Sequence, residues 1–298
     1  MGMSDVFRSG FIALIGRPNV GKSTLLNRIL QQKISIVSDK AQTTRDKIMG
    51  VYTQPDFQMV FVDTPGIHKP RHKLGEKMRK EALDALNEVD AVLFMVAADE
   101  RFGPGTQYIL DRLQTLTIPV YLAINKIDQI TPEKLLPLID GYRQKFNFTE
   151  IVPISARDGY QVDTLLDVLR DHLPEGPQYY PEDMVTDRPE RNIMAELIRE
   201  KILHMTRDEV PHAIGVEMEE IAQRKNGKWY VRAVIYVERD SQKRIIIGKN
   251  GALLRAIGAE SRADIEKLMN GSVYLDLWVK VAPDWRNKDR MLKELGYE

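Results

Sequence analysis

The sequence predicts an α/β fold, a mostly parallel sheet flanked by helices, followed by a smaller α+β domain. Three observations carry this. Short apolar runs alternate with longer amphipathic stretches through about residue 173, the pattern of strand–helix units in a parallel sheet. Pro174, Pro177, Pro181 and Pro189 then interrupt the chain, and proline cannot donate to a helix or a central strand. Beyond them the periodicity restarts in a different order. A length of 298 residues agrees with two domains at roughly 100–200 residues each. The expected division is 1–173, a linker over 174–190, and a second domain over 191–298.

In the first domain, strands are expected at Phe11–Ile15, Ile48–Tyr52, Met59–Asp63, Ala91–Val96, Val120–Asn125 and Ile151–Ile154. Helices are expected over 22–32, 75–88, 104–116, 132–145 and 161–172. Gln54-Pro55-Asp56 reads as a hairpin turn, which makes one edge pair antiparallel. In the second domain a helix over Ile193–His204 precedes an alternating run with Ile214, Val216 and Met218 on one face. Asn226-Gly227 signals a two-residue hairpin. Trp229, Val231, Ala233, Ile235 and Val237 line one face of the returning strand. A helical stretch over 245–269 leads to a third strand with Val273, Leu275, Leu277, Val279 and Val281 on one face. The order is α-β-β-α-α-β. Tyr179-Tyr180 in the linker reads as packing between the domains.

With no cysteine in the chain, disulfides, thiolate metal sites and a cysteine nucleophile are excluded, and a cytoplasmic protein is expected. The longest apolar run, Ala91 to Ala98, is eight residues against about 20 for a membrane-spanning helix. The five histidines form no metal constellation, and Pro70 separates His68 from His72. A net charge of +0, from 43 basic and 43 acidic residues, would ordinarily count against a nucleic-acid partner. Taken by segment it does not. Residues 181–220 carry 5 basic and 11 acidic side chains, whereas 221–255 carry nine and two. The second domain therefore has an acidic entry and a basic centre.

Gly16-Arg17-Pro18-Asn19-Val20-Gly21-Lys22-Ser23 fits G-x-x-x-x-G-K-[ST] between an apolar strand and a helix. Glycines let the backbone curl so that N–H groups face phosphate oxygens, and the helix expected from 22, with Thr24 in its first turn as part of the nucleotide site, adds its positive end. Lys22 is positioned to reach the β- and γ-phosphates, and the Ser23 hydroxyl to ligate Mg²⁺. Asp63-Thr64-Pro65-Gly66 follows the third strand. Its carboxylate suits Mg²⁺ through water and its glycine N–H the γ-phosphate. Thr43 and Thr44 both lie in a polar stretch, and either hydroxyl completes the Mg²⁺ shell; Thr44 is the working assignment. Asn125-Lys126-Ile127-Asp128 follows a buried strand. A carboxylate there accepts from guanine N1–H and the N2 amine, whereas adenine would leave it unpaired. Asn125 is expected to brace neighbouring loops, Lys126 to cover the base, and Ser155-Ala156 to offer N–H groups to guanine O6.

This ordered set resembles the GTPases of the translation-factor and Ras-like type over residues 8–173. The resemblance implies GTP and GDP as ligands. Ras-like members carry a glutamine after D-x-x-G that orients the attacking water, whereas this chain has Ile67. Three readings follow: another residue or a partner positions the water, intrinsic hydrolysis is slow, or there is none. The chain is similar here to hydrophobic-substituted GTPases, several of which use K⁺. Asn19 matches their K⁺-ligating asparagine, so Lys22, Asn19 and Thr44 form the expected catalytic set.

Arg244-Ile245-Ile246-Ile247-Gly248-Lys249-Asn250-Gly251 places an I-G-x-x-G loop between two helical stretches, with Lys243, Arg244, Lys249 and Arg255 around it. Asn250 completes the loop. Such a loop admits a nucleic-acid backbone closely. With the α-β-β-α-α-β order it resembles a KH domain of type II. A P-loop GTPase domain, a proline-rich linker and this domain, with Asp284-Trp285-Arg286 after the last strand, together resemble the Era family. That resemblance implies a monomer that binds small-subunit 16S rRNA near its 3′ end, acts in 16S processing and 30S subunit biogenesis, and associates peripherally with the inner membrane. An RNA-binding assembly factor with incidental hydrolysis is the alternative, and a P-loop kinase or ATPase a third.

Overall fold

A computed structural model describes residues 6–38, 45, 47–65, 72–208 and 210–297. They form two compact units, the first built mostly from residues up to Asp187 and the second from Arg188 onward.

The first unit carries a six-stranded sheet. Its strands are β1 (Arg8–Gly16), β2 (Ile48–Thr53), β3 (Phe57–Asp63), β4 (Ala91–Ala97), β5 (Val120–Asn125) and β6 (Ile151–Pro153), in the order β2-β3-β1-β4-β5-β6. All neighbours are parallel except β2 and β3, the antiparallel pair expected at the edge. The central strands are continuously apolar because both faces are covered. On one face Ile12, Leu14, Leu93, Met95, Tyr121 and Ala123 pack with Leu25, Leu26, Leu165 and Leu169, from α1 (Lys22–Leu30) and α5 (Val162–Asp171). On the other, Ala13, Ile15, Phe94 and Leu122 meet Ala82, Ile109, Leu110 and Tyr142. Those come from α2 (Lys73–Asp84), α3 (Pro104–Leu113) and α4 (Leu135–Arg143). β1 lies between β3 and β4, so successive connections leave it toward opposite sides. That opens a crevice at the strands' carboxyl ends.

The proline-rich segment is strapped to this unit. Ser9 N–H donates to Pro174 O and Gly176 N–H to Phe7 O, each at 3.1 Å. The edge strand's Val51 N–H donates to Val185 O at 2.8 Å. Gln58 is fully buried and uses both ends of its amide. Its Oε1 accepts from Tyr179 and Tyr180 N–H (2.9 and 3.0 Å), and its Nε2 donates to Tyr180 O and Thr53 Oγ1. Tyr179 packs its ring on Phe11 and the Tyr180 hydroxyl meets Met49. The expectation that this tyrosine pair packs between domains is corrected: both contacts lie within the first unit.

The second unit runs α6 (Glu190–Met205), α7 (Val210–Ala213), β7 (Gly215–Gln223), β8 (Trp229–Val237), α8 (Asp240–Ile247), α9 (Ala252–Leu268), β9 (Val273–Val281) and α10 (Asp289–Glu294). β7 and β8 are antiparallel, and β8 and β9 parallel. A parallel pair needs a crossover, supplied by α8 and α9. Val231, Ala233, Ile235, Val237, Val273 and Val279 pack against Ile198, Ile202, Ile246, Ile257 and Ile265. The expected two-residue hairpin has three residues in its loop. Arg224 N–H bonds Lys228 O, and only Gly227 takes positive φ, +78°. A type I′ turn needs positive φ at both central residues, so this is the three-residue form with glycine in the left-handed position. The first crossover helix begins at Asp240, before the expected 245, because Gln242 Oε1 accepts from Glu238 and Arg239 N–H and caps its start. Buried Trp285 donates to Ala213 O, and Arg286 pairs with both Glu238 oxygens. The Asp-Trp-Arg element thus fastens the chain after β9. Among the described residues no helix is long and apolar enough to cross a membrane.

Gln58→Leu leaves the Tyr179 and Tyr180 amides without their acceptor. Unfolding free energy should fall by about 2 kcal/mol, with faster hydrogen exchange at these two amides. Unchanged exchange there would show that Gln58 does not hold the strap.

Candidate nucleotide and RNA sites

Four loops far apart in sequence meet at the carboxyl edge of the first sheet, because each follows a parallel strand. Gly16 to Gly21 follow β1, Asp63 ends β3, Asn125 ends β5, and Ser155 follows β6. Gly16 packs so tightly that a Cβ would sit 2.5 Å from Met95 O. The loop then turns through Asn19 and Gly21, at φ +67° and +100°, and enters α1. Arg17 is tied to Glu100 at 2.8 Å, Pro18 is half-buried, and Val20 is buried. The first turn of α1, Lys22, Ser23 and Thr24, faces the crevice with N–H groups that no helical carbonyl accepts. Lys22 is buried and donates to Gly16 O and Arg17 O at 3.2 and 3.1 Å. Burial lowers its pKa, with Asp63 opposing the shift. Burial disfavours the bare ammonium, and phosphate oxygens placed beside it would restore its charge.

Ser23 Oγ lies 3.0 Å from Asp63 Oδ2, and Ser35 Oγ donates to the same oxygen at 3.2 Å. A hydroxyl beside a carboxylate is a hard-oxygen donor pair. Mg²⁺ takes one or two such protein ligands and fills its shell with water and phosphate, so the residues present fit it. Thr64 is buried and donates to Leu14 O at 2.8 Å, fixing the end of β3 against β1. Thr43, Thr44, Gly66 and Ile67 lie outside the described residues.

Asn125 is the brace between these loops. Its buried Nδ2 donates to Val20 O at 2.8 Å, and its Oδ1 accepts from Ala156 N–H at 2.9 Å. Gly21 must be glycine for this: a Cβ there would meet Asn125 Nδ2 at 2.2 Å. Lys126 takes φ +62° and reaches Asp99 at 3.7 Å. Ile127 and Asp128 form a short 3₁₀ turn. Asp128 Oδ1 accepts from Ser155 Oγ at 2.8 Å, and its Oδ2 lies 3.3 Å from the exposed Arg157 guanidinium. Sequence reasoning missed Arg28. From α1 it donates to Ala156 O and Arg157 O, anchoring the Ser155-Ala156 loop to the helix that starts the phosphate site. No local pattern marks it, since its partners come from more than a hundred residues away.

In the second unit, Gly248 and Gly251 take φ +70° and +75°, with Asn250 at +53° between them. A Cβ on Gly248 would meet Leu253 at 2.8 Å. Lys249, Asn250, Arg244 and Arg255 are exposed and Lys243 half-buried. Beside the loop runs a groove of about 530 Å³ lined by Gly251, Leu254, Arg255, Arg262, Tyr274 and Leu277 among others. Arg262 was absent from the expected set. It sits seven positions beyond Arg255 on α9, and helical spacing alone places them on one face.

Gly21→Ala should displace Asn125. The expected outcome is a loss of about 1–3 kcal/mol in stability and at least a roughly tenfold loss of GDP affinity (about 1.4 kcal/mol). Thermal unfolding with and without GDP measures both. Gly103→Ala is the control, since its Cβ would meet only Arg101 O, at 3.9 Å.

A protein-family model described as "50S ribosome-binding GTPase" matches residues 11–126, and one described as "KH domain" matches residues 209–286. Among solved structures, Era in complex with MgGDPNP and nucleotides 1506–1542 of 16S ribosomal RNA is similar at 43% identity and a TM-score of 0.95. It covers 98% of this chain and 99% of that one. A point variant of Aquifex aeolicus Era bound to GDP·AlF4⁻ matches with the same identity, coverage and TM-score. At that identity across both units, the chain belongs to the Era family and is a GTPase.

Proposed function

We propose that this GTPase binds 16S rRNA near its 3′ end through the second unit and serves 30S subunit assembly in the cytoplasm as a monomer. The observation that carries this is the end-to-end likeness to an Era structure containing both MgGDPNP and that RNA segment. It is supported by a phosphate crevice and a basic G-x-x-G groove in one chain.

The crevice residues divide the work. The N–H groups at the start of α1, with Lys22, hold the β- and γ-phosphates and stabilise charge that grows there during transfer. Ser23, Asp63 and Thr44 would hold Mg²⁺, which supplies positive charge between the β- and γ-oxygens. The Gly66 N–H would serve the γ-phosphate. Asp128 reads guanine while Lys126 and Ile127 cover the ring, and the Ser155-Ala156 loop closes the O6 side, its Ala156 N–H already given to Asn125 Oδ1. With an isoleucine at position 67, no side chain there orients water. Asn19, exposed on the loop at φ +67°, offers a carbonyl oxygen for K⁺. Lys249, Asn250, Lys243, Arg244 and Arg255 hold RNA phosphates, and the two glycines let the backbone approach.

Asp128→Asn should shift preference from guanine toward xanthine nucleotides, whose C2 oxygen replaces the amine; unchanged GTP preference in competition binding would remove Asp128 from the base site. Hydrolysis should be faster in K⁺ than in Na⁺ buffer, with and without the 3′ RNA, and equal rates would discard the K⁺ assignment. Lys22→Ala should abolish hydrolysis and disturb RNA release together. Normal release in that variant would favour an RNA-binding factor in which hydrolysis is incidental.

A further inference from the structure

Helices α6, α8 and α9 pack on one face of the second unit's sheet, and at the β7 end of the other face Trp285 and Leu295 close on Gly215. The other face carries the alternate residues of two paired strands, in register: Tyr230 opposite Tyr274, Arg232 opposite Asp276, Val234 opposite Trp278 and Tyr236 opposite Lys280. Val234 is buried, but along β9 this face lies open to water. Tyr274 is 64% exposed and Trp278 55%, and large aromatics grouped on an exposed face mark an interaction site more often than scattered ones do.

The group is also preorganised. Tyr230 and Tyr274 stack with centroids 5.8 Å apart and planes at 11°. The Arg224 guanidinium lies over Tyr230, 4.4 Å from its centroid. One carboxylate orients the set: Asp276 Oδ2 accepts from Tyr230 Oη at 3.0 Å, Arg232 Nε at 3.2 Å and Trp278 Nε1 at 3.1 Å. Burial alone would raise the Asp276 pKa, but these bonds and the Arg232 charge outweigh it and hold the carboxyl below its usual range. The acid is satisfied by its neighbours, so the face does not repel an anion as a bare carboxylate would. At the hairpin end Arg224, Lys225, Lys228 and Arg232 stand against Asp276 and Glu220.

We propose that this outer sheet face stacks unpaired RNA bases that leave the G-x-x-G groove around the β9 edge. Tyr274 makes the link: it lines the groove and belongs to the stacked pair. Exposed π-faces flanked by arginine and lysine are the chemistry that takes bases without reading their edges. The proposal rests on the groove being an RNA site, and the test separates the two.

The full chain, loaded with Mg²⁺ and a non-hydrolysable GTP analogue, is titrated with two RNAs. The long probe is 16S nucleotides 1506–1542, the segment in the Era complex. The short probe is about six nucleotides cut from it, enough to fill the four-nucleotide clamp of a KH loop. Trp278→Leu and Arg224→Ala, neither in the groove, should each weaken the long probe about tenfold, the scale of one lost base stack. The short probe should change less than about twofold. The long probe alone should quench the part of the tryptophan fluorescence that Trp278→Leu removes. Tyr274→Phe keeps the ring and should keep long-probe affinity. Equal losses on both probes, or no loss on the long one, overturn the proposal. So does a change in self-association without a change in RNA affinity, which would assign the face to a second copy of the chain. Lys249→Asp with Asn250→Asp tests the groove separately. It should weaken both probes, and normal short-probe binding in that variant sinks the groove reading whatever the sheet-face variants do.

Discussion

The first unit depends on one buried amide. Asn125 sits where three loops would otherwise be independent, donating to Val20 O on the phosphate loop and accepting from Ala156 N–H on the last strand's loop. Neither bond forms unless Gly21 lacks a side chain, because the amide occupies the space a Cβ would take. The same contact therefore ties phosphate position to base position. Arg28 reinforces it from α1, reaching the carbonyls of Ala156 and Arg157. A polar group buried this deeply costs stability unless every bond is made. The crevice is thus held to one geometry before any nucleotide arrives.

The second unit is governed by a different constraint. Its β8 and β9 are parallel, so the chain must cross over, and the crossover is α8, the glycine loop and α9. The loop is displayed at the turn between two helices because both helices are pinned to the sheet by Ile246, Ile257 and Ile265. The sheet's second face is closed at Gly215 by Trp285 and Leu295 and open along β9, where Tyr274 and Trp278 are exposed. Here that face holds an ordered aromatic and arginine group in place of the usual scattered polar residues.

Charge follows the same division. The neutral total of the chain averages an acidic entry over residues 181–220 and a basic stretch over 221–255. Among the acids of the entry, Glu196 pairs with Arg199, which is fully buried. Around the glycine loop Arg244, Lys249 and Arg255 stay exposed. Glu196 thus serves packing, whereas Lys249 and Arg255 are exposed where phosphate would approach.

By itself the sequence determined the elements whose periodicity is long, the order of the strands' motifs, and the chemistry at their ends. The alternation through Trp229–Val237 and Val273–Val281 and the G-x-x-x-x-G-K-S and N-K-x-D spacings are local, so they are legible without neighbours. Tertiary structure decided what depends on distant partners. The proline-rich segment reads as a linker, yet Gln58 and Val51 hold it against the first unit. Asn226-Gly227 reads as a two-residue turn, yet strand register makes the loop one residue longer. The short helices α7 and α10 are below the length at which a period shows. Arg262 joins the groove only once α9 is laid beside β9. Local pattern reports which face a residue takes on its own element; which other element meets that face is a property of the folded chain.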